Sequence, residues 1–201
     1  MPIPGKSGLV ITSHAVSLID PTVYEDGRVT FSVPSYYVRR GRTSKRQVVE
    51  TGENGERVSD TLTRALDDEI SARPGSAELQ LVDDKPFHVF FGRDEKHPGG
   101  THLKLFYFVR VTGERRTEPK QDGEEEVGPI VDLEAETLIV AMEKEGTVPI
   151  HLEVTKIALQ ALALKHENVY HRYAQLLSRC SAPHEPTVEE WEAIYAYEKY
   201  F

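Results

Sequence analysis

The sequence predicts an α+β fold, a mixed β-sheet sandwiched between helices, with extra helices toward the C-terminus. Three observations carry this. β-branched and aromatic runs cluster in the first half, separated by turn residues. One helical stripe interrupts them, with Val58, Leu62, Leu66 and Ile70 at four-residue intervals. From residue 132 onward the apolar pattern takes helical spacing. Strands, a helix, more strands and then helices read as a mixed sheet with helices on its faces.

"SGLVITSHAVSLID" reads as the first strand, and "EDG" at 25–27 as the turn into "RVTFSVPSYYVRR". There Val29, Phe31 and Val33 share one face, and Pro34 marks an edge or a bend. The glycine-bearing stretch 41–56 reads as a loop. Ser59 is the expected helix N-cap, and Pro74 and Gly75 end the helix. "AELQLV", "PFHVFFG" and "THLKLFYFVRV" are three further strands. A polar connector follows at 112–129, and its length signals function or disorder. Four helices come after it: one ending at Gly146, one after His151 as its cap, then "NVYHRYAQLLSRC" and "TVEEWEAIYAYEKY". The C-terminal aromatics Trp191, Tyr195, Tyr197, Tyr200 and Phe201 read as packing residues, within the fold or at a dimer interface.

A chain of 201 residues holds one sizeable core and would cramp a second full domain. The expected organisation is a domain over 1–167 with a C-terminal helical extension, 168–201, packed on it. The net charge of -9 argues against long nucleic acid as a general partner, because phosphate backbones need basic patches. Cys180 is the only cysteine, which excludes an internal disulfide framework and suits a cytoplasmic, reducing compartment. No apolar run reaches the roughly 20 residues that cross a bilayer, so no membrane role is expected. The N-terminal apolar stretch is broken by Thr12, Ser13 and His14, which does not match a signal peptide.

The acids Asp67, Asp68 and Glu69 close the first helix. At 100° per residue, Asp68 and Glu69 lie beside the apolar stripe on the side of Ala65, with Asp67 elsewhere. Two neighbouring carboxylates can chelate a hard cation such as Mg²⁺, and Arg64 is spaced to pair with Asp68. A solvated face decorated with charge is the plainer reading of the helix alone.

Loop and helix together resemble the signature of the Nudix hydrolase superfamily, G-x₅-E-x₇-R-E-U-x-E-E-x-G-U with U bulky and apolar. Glu56 matches the first glutamate, Arg64 the arginine, Leu66 the apolar position, and Asp68 and Glu69 the acidic pair. Glu53 and Gly55 match acid and glycine positions common in the family loop. Glu50 stands in place of the first glycine, Ala65 in place of the glutamate after the arginine, and Ser71 and Ala72 at the closing pair.

The resemblance implies a Nudix-like domain and metal-assisted attack of water on a diphosphate linkage in a nucleoside diphosphate derivative, with Mg²⁺ or Mn²⁺ as cofactor. By position, Asp68 and Glu69 would ligate metal, and Arg64 would brace the carboxylates. Glu56 would support them from behind, and Glu125 is the candidate ligand among Glu124, Glu125 and Glu126 on a late loop. The basic stretch 39–46, preceded by Tyr36 and Tyr37, would meet a nucleotide-type small molecule through Arg39, Arg40 and Tyr37. A homodimer is a further family trait. The second reading is a Nudix-like fold impaired in turnover that binds a nucleotide or a protein partner, and the residues at 50 and 65 favour it. A third, an unrelated α+β interaction protein with a chance match, is separated from both by metal binding, and turnover separates the first two.

Overall fold

The computed structural model describes residues 8–199. The aromatic packing expectation for Tyr200 and Phe201, and the outermost residues of both expected segments, lie outside them. The centre is a mixed five-stranded sheet. β1 (Ile11–Ile19) runs parallel to β9 (Thr101–Gly113), and β6 (Val48–Thr51) pairs antiparallel with the other edge of β1. β9 is long enough to hold two partners end to end on its free side. β8 (His88–Arg93) pairs with its first half and β7 (Ala77–Leu81) with its second.

Two smaller antiparallel sheets flank it. β2 (Pro21–Val23), β3 (Val29–Pro34) and β12 (Ile130–Glu134) form one, in which Val29, Phe31 and Val33 are fully buried. β4 (Tyr37–Arg39), β5 (Arg42–Ser44), β10 (Lys120–Asp122) and β11 (Glu125–Val127) form the other. The stretches 41–56 and 112–129 were expected as loop and connector. They contain β5 and β6, and β10 and β11, whose short polar strands lack an apolar alternation to announce them.

Helices cover both faces of the main sheet. α1 (Val58–Ala65) and α5 (Val188–Glu198) pack on the side of Val16, Leu18, Leu103 and Leu105. α2 (Ala135–Glu145), α3 (Pro149–Lys165) and α4 (Glu167–Leu177) pack around Ile19, Phe31 and Phe108. No helix among the described residues is long and apolar enough to cross a membrane. α5 is tied down by a polar staple. The buried His14 meets the Tyr197 hydroxyl at 2.8 Å through Nδ1 and Thr61 Oγ1 at 2.7 Å through Nε2. Thr61 spends its proton on Arg57 O, so His14 donates through Nε2 and accepts from Tyr197 through Nδ1.

Two capping expectations are corrected. Arg57, not Ser59, is the N-cap of α1, and Ser59 sits inside the helix. His151 lies inside α3, which starts at Pro149, a residue whose fixed φ suits a first turn. The last expected cap is there: Gly146 ends α2 in the left-handed region, with φ 64°.

Candidate ligand-binding site

α1 does not continue as a regular helix. From Leu66 to Ile70 the chain widens into a π-helical turn, closed by Ser71 N donating to Leu66 O at 2.8 Å. A residue turns through less than 100° there, so the regular helical projection of the acids fails. Glu69 swings inward to 4% exposure, whereas Asp68 is exposed. Asp67 accepts a hydrogen bond from Gly75 N.

Glu69 enters the interior with both oxygens taken. Lys120 Nζ, from β10, meets Oε1 at 2.8 Å, and Arg46 Nη2 meets Oε2 at 3.2 Å. Lys120 also donates to Asp68 O, and Arg116 Nη2 to Glu69 O. A buried carboxylate needs such compensation. Arg46 lies over the Tyr37 ring, its guanidinium carbon 4.0 Å from the centroid. Tyr37 thereby carries Arg46 rather than standing free.

Arg64 is engaged on the loop side. Its Nε and Nη2 donate to Glu56 Oε1 and Oε2 at 3.0 and 2.8 Å, a bidentate pair. Nη1 reaches Glu50 Oε1 at 2.8 Å and Nη2 also donates to Thr51 O. The expected Arg64–Asp68 pair is therefore replaced by Arg64–Glu56 and Arg64–Glu50, partners that lie before the helix. The grip of Arg64 lowers the Glu56 pKa from 4.5 to about 2. Glu125 forms an ion pair with Arg39 at 3.0 Å across β4 and β11, and Glu126 accepts from the Tyr36 hydroxyl.

The expected residues thus fall into separate groups. Glu56 and Arg64 meet; Glu69 is held by Arg46 and Lys120; Glu125 and Arg39 meet; Asp68 is exposed. A divalent cation such as Mg²⁺ needs free oxygens from a few carboxylates converging on one point. Here the buried carboxylate already faces two cations, Glu56 and Glu125 are each paired with an arginine, and Asp68 is exposed. Among the described residues, no group of three or more His, Cys, Asp or Glu could hold a metal ion. The residues do not fit the metal that the resemblance implies.

Arg46, the partner of Glu69, also lines a basic cleft. A cavity of about 870 Å³ opens beside the β4–β5 hairpin, lined by Tyr37, Arg39, Arg40, Arg42, Arg46 and His151 among others. Burial first, then Arg46 and Lys104, lower the His151 pKa to about 4, so it stands neutral among these cations. The hairpin tip is the two-residue turn Arg40–Gly41, both at positive φ, 49° and 72°. That is the pattern of a tight primed turn, where asparagine and glycine are preferred and arginine is strained. The expected Arg39, Arg40 and Tyr37 line this cleft. The sequence did not single out Arg46 and Lys120 as the partners of Glu69, although Arg46 belongs to the same basic run.

No family model matches the chain, and no curated protein matches it. Solved structures do. A protein described as a possible asymmetric diadenosine tetraphosphate hydrolase from Jonesia denitrificans is 14% identical, with a TM-score of 0.48 over 79% of this chain and 97% of that one. A Nudix hydrolase from Nitrosomonas europaea is 13% identical, with a TM-score of 0.49 over 88% and 97%. The Nudix domain of NrtR from Shewanella oneidensis, solved with ADP-ribose, is 11% identical, with a TM-score of 0.44 over 78% and 92%.

Proposed function

We propose that the chain is a Nudix-like protein that binds a nucleotide-type phosphate ligand in the basic cleft, without a divalent cation and without cleaving it. The observation that carries this reading is the double engagement of Glu69 by Lys120 and Arg46. In the metal-assisted reading Glu69 would ligate metal; here fixed cations meet it instead. Arg40 and Arg42 at the hairpin, with Arg46 at the cleft floor, supply charge for phosphate oxygens. Tyr37 orients Arg46 by lying under its guanidinium. Nothing in this arrangement activates water. Ala65 has no proton acceptor, and each oxygen of Glu69 already faces a cation, Lys120 or Arg46, which disfavours its taking a proton.

The metal-dependent hydrolase is the second reading, favoured by one observation: the Glu56–Arg64 pair keeps its place in the signature. A panel of diphosphate-linked nucleotides separates the two. Binding is measured calorimetrically with Mg²⁺, with Mn²⁺ and with EDTA, and product release is followed beside Glu69→Gln. The proposed reading expects binding that EDTA leaves unchanged, and no release. Metal-dependent release that disappears in Glu69→Gln would establish the hydrolase instead.

A further inference from the structure

A second cavity, of about 600 Å³, shares no lining residue with the basic cleft. Its volume is typical of a small-molecule site. It lies at the end of the main sheet, where the start of β1, the β8–β9 turn and the loop 52–55 meet. We propose that it binds a small, flat organic anion, held by Lys104, His102 and Phe90.

The strand register sets the three groups out. His102 and Lys104 are two residues apart on β9, so their side chains share a face about 7 Å apart. On β8, Phe90 stands opposite Lys104 and Gly92 opposite His102. The Phe90 ring leans over Gly92, where a Cβ would stand 3.1 Å from it. Phe90 is 41% exposed, a large apolar ring left open at the cavity wall.

Lys104 is the clearest sign of a missing partner. Its side chain is half-buried and lines the cavity, yet among the described residues nothing accepts a hydrogen bond from it or pairs with it. Taking an ammonium out of water without a counter-charge is costly. A carboxylate or phosphate in the cavity would remove that cost. The acids lining it do not serve. Glu53 and Glu95 are exposed. Asp94 is buried and already accepts from five donors: Thr12 Oγ1, Ser13 Oγ, His97 Nδ1, and the backbone N–H groups of Lys96 and His97.

Asp94 also fixes the chemistry of His102. Ser13 has one hydroxyl proton and donates it to Asp94 at 2.6 Å. The 2.7 Å contact between Ser13 Oγ and His102 Nδ1 must then be a bond donated by the imidazole. Burial holds the His102 pKa below its ordinary value, and the neutral ring it favours keeps Nε2 as an acceptor. The arrangement asks for an anionic group against Lys104, a flat body against Phe90, and an N–H or O–H donor toward His102. It is not a nucleophile–base pair, because the Ser13 proton goes to the carboxylate and not to the imidazole.

The test is an NMR titration of the full chain, following His102 and the Lys104 ammonium. The probes are inorganic phosphate, adenosine 5′-monophosphate and 4-hydroxybenzoate. Saturable shifts of both residues by either ring-bearing probe are expected, and the probe that wins tells phosphate from carboxylate. Lys104→Met weakens binding about tenfold or more, as loss of a charged hydrogen-bond partner does, while Lys104→Arg retains most of it. Phe90→Ala weakens the ring-bearing probes and leaves inorganic phosphate unchanged. Arg42→Ala, at an exposed position in the other cleft, changes none of these. Absence of saturable shifts with all three probes at millimolar concentration would overturn the proposal. So would binding that is lost in Arg42→Ala and kept in Lys104→Met.

Discussion

Lys120 and Glu69, 51 residues apart in sequence, meet at 2.8 Å, and the Glu69 side chain is only 6% exposed. Removing one partner of such a pair leaves a buried charge that water cannot reach. Lys120→Met is expected to lower stability by about 1–3 kcal/mol, because Arg46 still covers the other oxygen. Glu69→Gln in the Lys120→Met background should return part of that loss, since an amide needs no counter-charge. Chemical denaturation of the three proteins measures both effects. A Lys120→Met protein as stable as the parent would show that the pair is idle.

The same pair decides the response to metal. With Glu69 neutralised from within, adding Mg²⁺ or removing it with EDTA shifts the melting temperature by less than about 1 °C, because a ligand stabilises only the state it binds. A metal-dependent rise of several degrees would restore the cation to this helix.

Acid should destabilise the protein in two windows. His14, His88 and His151 are neutral in the fold, each with its pKa lowered by burial from 6.5 to about 4. The unfolded chain takes up protons below 6.5 that the folded chain refuses until about 4. Stability therefore falls as pH drops through that interval. Glu56 acts lower down. The grip of Arg64 depresses its pKa from 4.5 to about 2, so its stabilisation is present above 4.5 and is lost as pH falls toward 2. Denaturation midpoints against pH should show a first decline that His14→Gln reduces. A second, below pH 4.5, should be reduced by Glu56→Gln. A flat profile from neutrality to pH 4 would contradict the neutral histidines.

Much of this fold is local in origin and so was legible in the sequence. The stripe Val58, Leu62, Leu66, Ile70 is buried throughout, and β1, β7, β8 and β9 lie where β-branched and aromatic runs stand. The site was legible only in its local half. The spacing of Glu56 and Arg64 within one loop and helix brings them together. The fate of Glu69 depended on Arg46, from the β5–β6 connection, on Lys120, from β10, and on a π-helical turn that no spacing announced. Ser13, Asp94 and His102 meet only because β1 and β9 pair in parallel. The one hint was the histidine pair flanking "PGGT", which periodicity could not place.

The C-terminal helix should report the His14 staple. Tyr197→Phe removes the hydroxyl that donates to Nδ1 while keeping the ring, and leaves a buried acceptor unpaired. A loss of about 1–2 kcal/mol is expected. Hydrogen exchange should rise in α5 and at Thr61, while α4, which packs in the other core cluster, stays protected. Uniform change across the chain would mean that the staple is not specific to this helix.

The turn Arg40–Gly41 sets stability against binding. Arg40 holds φ 49°, a conformation that asparagine adopts with less strain. An arginine kept there costs stability, so its side chain is expected to repay that in the cleft it lines. Arg40→Asn should raise stability by about 0.5–1 kcal/mol and weaken binding of a nucleotide phosphate. Arg42→Ala should weaken binding without the gain in stability, since Arg42 has ordinary backbone geometry and an exposed side chain. Arg39→Ala should matter least for binding, because Arg39 already spends its charge on Glu125 at 3.0 Å. Calorimetry at two salt concentrations checks the order: the parent binds more weakly at high salt, and Arg40→Asn and Arg42→Ala show a shallower dependence. If Arg39→Ala proved the most damaging, the phosphates would sit on the β4–β11 side of the hairpin rather than at its tip.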